Sequence, residues 1–189
     1  MERESFRSRC AQRSVENGSG DFEDRRKDVR GFAAIGLDNP KFDANFGGVM
    51  RAAGCYGAAM VAISGGRMRH VATDTGKMWR SVQVIETEDL HSVIPFDCVT
   101  VAVDLIPGAR SLVGYAHPER AFYIFGAEDE TLGESVVSWC RDVVYVPSRF
   151  CMNLAATANV ILYDRMAKMG GKAANDRFHL ATKDARETA

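Results

Sequence analysis

Ala121-Phe122-Tyr123-Ile124-Phe125-Gly126, then Val143-Val144-Tyr145-Val146-Pro147, then Asn153-Leu154-Ala155-Ala156-Thr157-Ala158-Asn159-Val160-Ile161-Leu162-Tyr163 is the succession that decides the fold. The first two pieces are short apolar runs rich in aromatic and β-branched residues. They do not alternate with polar residues, so each reads as a strand covered on both faces. Glycine ends one and proline the other, residues that stop a strand and open a loop. The third piece opens on asparagine, a residue suited to an N-cap, and carries Leu154, Ala158, Ile161, Leu162 and Arg165 near 3.6 spacing before Gly170-Gly171. Its run of small residues allows close packing on a partner.

The same grammar extends towards the N-terminus. Residues 32–37, 59–63, 82–85 and 99–105 read as further strands, the last interrupted only by Asp104. Residues 45–56 carry Phe46, Val49, Met50 and Ala53 at helical spacing, with Gly57 just past the end. Residues 88–93 suggest a short helix and residues 131–140 a longer one. Buried strands interleaved with helices imply an α/β domain built on a parallel sheet, with ligands beyond the carboxyl ends of the strands. That domain is read over residues 31–175. Residues 1–30 are polar and charged without periodicity and read as a flexible or extended arm, residues 176–189 as a tail.

With 189 residues, the chain can build one full-sized core. No apolar run approaches the roughly 20 residues of a membrane span, and residues 1–30 lack the apolar stretch of a signal peptide, so a cytoplasmic location is expected. The five cysteines are scattered without a CxxC pair, which argues against a zinc site or a disulfide framework; no metal is expected. There is no GxGxxG after the first strand, no GxxxxGK[ST], no GxSxG and no HExxH, which removes most familiar α/β chemistries. The net charge of −1 argues mildly against a nucleic-acid partner. Its distribution is less even: Arg67, Arg69, His70, Lys77 and Arg80 stand against one acid, Asp74. A second basic group, Arg165, Lys168, Lys172 and Arg177, reads as a solvated face.

Three segments remain as carriers of chemistry. In Asn45-Phe46-Gly47-Gly48-Val49-Met50-Arg51, two glycines near a helix start permit close approach, and Arg51 offers a donor fork suited to phosphate. Taken alone, an arginine there is more often a surface residue paired with a carboxylate. In Phe125-Gly126-Ala127-Glu128-Asp129-Glu130-Thr131-Leu132-Gly133, a strand enters a glycine and an acidic loop. Three acids there would repel a polyphosphate and tolerate a positive sulfonium. In Val146-Pro147-Ser148-Arg149-Phe150-Cys151-Met152-Asn153, a strand, a proline and a helix cap stand together.

In order and spacing these segments resemble the three motifs of the SpoU, or TrmH-like, branch of the SPOUT RNA methyltransferases. Asn45, Gly47 and Arg51 match the first; Gly126, Glu128, Leu132 and Gly133 the second; Val146, Pro147, Met152, Asn153 and Tyr163 the third. The resemblance covers about residues 32–168. Cys151 stands where the family usually has serine, and Asp129 and Glu130 where another glycine is frequent.

The resemblance implies a SPOUT fold with a C-terminal trefoil knot, which pattern alone would not suggest because threaded chains are rare. It implies S-adenosyl-L-methionine held by Leu105, Gly126, Val146, Cys151 and Met152. It also implies a homodimer and 2′-O-methylation of RNA, with tRNA favoured over rRNA. Arg51 is the principal catalytic candidate, with Asn45, Glu128 and Asn153 beside it. Under this reading Arg67, Arg69, Lys77 and Arg80 become an RNA-binding patch. The alternatives are a non-catalytic SAM- or RNA-binding paralogue and a flavodoxin-like binding module. The second explains a parallel sheet but not the three motifs.

Overall fold

A computed structural model describes residues 31–67 and 78–169. Arg69, Lys77, the arm at 1–30 and the tail at 176–189 lie outside the described residues. Within them the chain forms β1 (Phe32–Asp38), α1 (Asp43–Tyr56), β2 (Met60–Ser64), β3 (Gln83–Thr87), β4 (Val99–Val103), β5 (Arg110–Ser111), β6 (Arg120–Phe125), α2 (Glu134–Val137), β7 (Asp142–Tyr145) and α3 (Leu154–Met169). Short 3-10 turns at Met78–Arg80, Leu90–Val93 and Leu112–Gly114 fill the connections.

The seven described strands make one parallel sheet in the order β3-β2-β1-β6-β4-β7-β5. The apolar runs lie at its centre: Ala34, Ile35 and Leu37 of β1 and Phe122, Tyr123 and Ile124 of β6 are fully buried. Burial on both faces removes the selection for alternation, which is why these strands are continuously hydrophobic. One face is covered by α1 and α3, through Phe46, Val49, Met50, Ala158, Ile161 and Leu162. The other is covered by thinner pieces, with Leu90, Val136, Val137 and Trp139 packing over Ala34, Ala102, Phe122 and Ile124.

α1 and α3 run side by side in the same direction, since Gly48 meets Ala155 near their starts and Tyr56 meets Tyr163, ring centroids 6.2 Å apart, near their ends. A Cβ at Gly48 would lie 2.6 Å from that of Ala155, so only glycine allows this approach. The close packing expected of the alanine-rich helix is thus made here within the chain. α1 ends as expected at Gly57, whose φ of 74° lets its N–H reach the Ala53 carbonyl.

β7, the last strand made, lies between β4 and β5, which precede it. Residues 104–109 must therefore pass across β7 to reach β5. Strand β4 stops at Val103 rather than Leu105, because the Asp104 carboxylate turns to accept backbone N–H groups. The helix expected over 131–140 shrinks to Glu134–Val137. Leu132, two residues before it, is held by Asp104, and its end is closed by a short turn in which Cys140 N–H donates to Val137.

The basic group near the C-terminus is also corrected. Arg165 is buried and donates to the Pro118, Glu119 and Phe32 carbonyls at 2.6, 2.8 and 3.3 Å. Lys168 donates to the Leu112 and Tyr115 carbonyls at 2.6 and 3.1 Å. Both cations satisfy carbonyls of the segment before β6, Arg165 from a buried position and Lys168 from a partly exposed one. Lys172 and Arg177 lie outside the described residues.

His117 is enclosed beside them. Its Nδ1 lies 2.6 Å from the Tyr123 hydroxyl and its Nε2 2.9 Å from Asp164. Burial pushes its pKa down against the opposing pull of Asp164, so the ring is neutral at pH 7. A neutral ring has one N–H. Only Nε2–H donating to the carboxylate and Nδ1 accepting from Tyr123 satisfies both contacts, and burial holds the Tyr123 phenol protonated, its pKa raised to about 12.

Candidate active site

Both β1 and β7 hand the chain to a helix at their carboxyl ends, so α1 and α3 begin at the same edge of the sheet. A cleft of about 810 Å³ opens at that edge, beyond the ends of β4, β6 and β7. Its walls are three loops: Asp104 and Leu105 after β4, residues 126–131 after β6, and residues 146–152 after β7. Leu105, Gly126, Val146, Cys151 and Met152, expected to hold the cofactor, all line it. The volume falls within the roughly 300–1,000 Å³ of small-molecule sites. Apolar residues share the walls with Asp104, Glu128, Asp129, Glu130 and Arg149, and Leu105 and Phe150 are strongly exposed.

Hydrogen bonds fix the loops to one another. Glu128 accepts from the Asn45 side chain at 2.6 Å and from the Lys41 backbone N–H at 2.9 Å, tying the start of α1 to the cleft. Burial alone would raise the pKa of this carboxyl. The bonds from Asn45 and from the Lys41 and Phe42 backbones outweigh it and hold Glu128 below the ordinary carboxylate range. Asp104 accepts from Leu105 N–H at 2.7 Å and from Leu132 N–H at 2.6 Å, joining the first two cleft loops.

Asn153 caps α3, its Oδ1 accepting from Ala156 N–H at 2.7 Å. Gly126 lines the cleft, but the space a side chain would take there is already filled by its own loop, with Leu132 N and Glu130 O at 3.3 and 3.4 Å. Its bareness therefore serves the turn at least as much as a ligand. Cys151 is an exposed free thiol.

The other expected residues are dispersed. Arg51 is exposed on α1 and is not among the residues lining the cleft. Six residues beyond Asn45, it stands about 9 Å further down the helix axis. Arg67 lies at the cleft rim, joined to Asp129. Arg80 ends the 3-10 turn that leads into the amino end of β3, with its guanidinium over Trp79. A five-residue strand is about 16 Å long, so the sheet separates Arg80 from Arg67 by that height.

Asp104 is the residue that sequence reasoning did not assign. Its only signal was a lone acid closing an apolar strand. The argument from three acids weakens, because Glu128 is bonded to Asn45 and Asp129 to two cations rather than to the cleft interior. Among the described residues no group of three or more histidines, cysteines and acids could hold a metal ion.

A parallel α/β sheet with a ligand-sized cleft at its carboxyl edge, walled by three loops and bounded by two helix starts, is the arrangement in which α/β proteins bind small molecules. The chain belongs to the SpoU rRNA Methylase family, whose model matches residues 33–163. No curated protein matches it.

Among solved structures it is similar to the SpoU methyltransferase AviRb from Streptomyces viridochromogenes, with TM-score 0.65 and 20% identity over 80% of this chain. The chain spans 65% of that protein's length. AviRb has also been solved in complex with the cofactor AdoMet. The A. aeolicus TrmH/SpoU tRNA modifying enzyme gives TM-score 0.68 and 14% identity over 80% of this chain and 84% of its own. A structure bearing on 2-OH methylation of C/U34 on tRNA gives 0.65 and 19%, over 75% and 92%. At these identities the likeness is one of fold.

Proposed function

We propose that the chain is an S-adenosyl-L-methionine-dependent RNA methyltransferase acting on a ribose 2′-hydroxyl, with tRNA as the favoured substrate. The observation that carries the reading is the Asn45–Glu128 bond, which fastens the first motif to a cleft walled by the other two. Family membership, the size of the cleft and its mixed apolar and polar lining support the cofactor. Leu105, Gly126, Val146, Cys151 and Met152 would hold it. When bound it would supply an activated methyl group for the ribose oxygen, with the thioether as leaving group and the hydroxyl proton passing to water.

The residues of the chain then have to orient the ribose and stabilise charge on its oxygen. A guanidinium stays protonated in proteins, so Arg51 acts as a cation and donor rather than as a base. Because it stands outside the cleft walls, it works from the substrate side, on the ribose phosphate and the developing oxyanion. Glu128 and Asn45 hold α1 in register with the cleft. Asn153 acts through the start of α3. Cys151 replaces a hydroxyl donor by a weaker thiol one.

The methyltransferase unit is residues 31–175. The passage of residues 104–109 across β7 supports a threaded, trefoil arrangement, and exposed Phe150 and Tyr163 support a homodimer. The proposed location is cytoplasmic; among the described residues no helix is long and apolar enough to cross a membrane. The test is transfer of labelled methyl from S-adenosyl-L-methionine into total tRNA and rRNA by the purified chain. Cofactor binding without any incorporation would overturn the catalytic reading in favour of a binding paralogue.

A further inference from the structure

At the cleft rim one carboxylate is held by two cations from different loops. Asp129 accepts from Arg67 at both oxygens, Nη1 to Oδ1 at 3.2 Å and Nη2 to Oδ2 at 2.9 Å, and from Lys41 Nζ at 2.8 Å. We propose that Lys41 and Arg67 form a binding site for one phosphodiester of the RNA backbone, and that Asp129 occupies it as an internal anion which the RNA displaces.

The donors suit that ligand. A guanidinium fork beside an ammonium presents parallel N–H groups to a two-oxygen edge, and phosphate offers the same edge as carboxylate. The contact is open to exchange, since the side chains of Lys41, Arg67 and Asp129 are 42, 29 and 38% exposed. Solvent-exposed ion pairs are individually weak, so an incoming phosphate competes on near-equal terms.

The position suits it too. The Lys41 backbone is anchored to Glu128, which holds Asn45, so the site abuts the junction of α1 with the cleft. The Arg67 guanidinium stays charged whether or not Asp129 occupies it, since arginine is not deprotonated in proteins. With Asp129 in place one of the two positive charges is cancelled, and the RNA must exchange one anion for another.

This inference rests on the RNA reading above. The test compares wild type with the near-isosteric Asp129→Asn, on the full chain, by anisotropy of fluorescently end-labelled tRNA across a chloride series. Calorimetric binding of S-adenosyl-L-methionine is measured alongside. Asp129→Asn is expected to bind the tRNA about fivefold more tightly, the scale of losing two exposed ion pairs. Its affinity should fall more steeply with salt, by about one unit of log–log slope, because displacing the carboxylate no longer takes back a counterion.

In a Lys41→Ala, Arg67→Ala background the same substitution should change nothing. Inorganic phosphate at matched ionic strength should leave the gain intact; if it erases the gain, the site is one for free phosphate. If wild type binds tRNA and Asp129→Asn binds no more tightly, Asp129 merely fastens the loop and this inference alone fails. If S-adenosyl-L-methionine binds but neither chain takes up tRNA at any salt, the RNA reading fails and this one with it.

Discussion

Replacing Asp104 by alanine tests how the cleft is held together. Its carboxylate receives two backbone N–H groups, from Leu105 at 2.7 Å in exposed surroundings and from Leu132 at 2.6 Å in partly buried ones. Hydrogen bonds to a charged acceptor contribute about 1.5–3 kcal/mol each, and a buried donor left without a partner costs about 1–3 kcal/mol. Leu105 N–H can turn to water, so its loss falls at the bottom of that range. Leu132 has a buried side chain and less freedom to do so. Together the change costs about 2–3 kcal/mol.

Because both donors belong to cleft loops, much of that cost should appear as lost order where the cofactor binds. Asp104→Ala should therefore weaken S-adenosyl-L-methionine at least about tenfold, equivalent to ~1.4 kcal/mol. The rest should lower the urea midpoint at unchanged m-value. Asp104→Asn keeps one acceptor oxygen and should lose about half as much. Calorimetry and urea unfolding together read both parts. An alanine variant with affinity within twofold of wild type and an unchanged midpoint would refute the reasoning.

Two further outcomes follow from other parts of the molecule. Arg51→Ala should reduce methyl transfer at least about 100-fold, the scale of removing one preorganised oxyanion donor. Because Arg51 stands outside the cleft walls, calorimetric cofactor affinity should change less than twofold; a matching loss of affinity would place it on the cofactor side.

His117 has a folded pKa below its unfolded value, so the unfolded chain takes up the proton first. Stability is therefore complete above the ordinary histidine pKa of about 6.5 and falls as pH drops below it towards the folded value. Urea midpoints measured from pH 7.5 down to pH 5 should decline in wild type. They should decline less in His117→Gln, which retains an N–H for Asp164; parallel slopes in the two proteins would contradict the buried neutral ring.

How much of this was legible in the sequence differs from place to place. The buried central strands were, because full burial writes an unbroken apolar run. Gly57 and Asn153 marked helix ends for the same reason they serve there, a left-handed backbone and a short oxygen acceptor. The cleft loops were legible as strand ends bearing glycine or proline. The two-residue β5 was not, since Arg110–Ser111 is neither apolar nor periodic and pairs only because β7 lies beside it.

Adjacency in sequence misled where the sheet intervenes. Arg67 and Arg80 read as one patch, yet β3 begins just after Arg80 at the opposite edge from Arg67. Arg165 read as part of a solvated cationic group, whereas the Pro118 and Glu119 carbonyls before β6 draw it inward. The bond from Asp104 to Leu132 spans 28 residues, and no local pattern could announce it.

The most direct test is the chemical form of the transferred methyl group. The purified chain is incubated with methyl-labelled S-adenosyl-L-methionine and tRNA, and the RNA is hydrolysed in alkali. A 2′-O-methyl group blocks cleavage at its own nucleotide, so the account predicts label in alkali-resistant dinucleotides, and none when Arg51→Ala replaces wild type. Label released in mononucleotides would show base methylation, and no incorporation despite cofactor binding would show that the fold here has kept the cleft without the reaction.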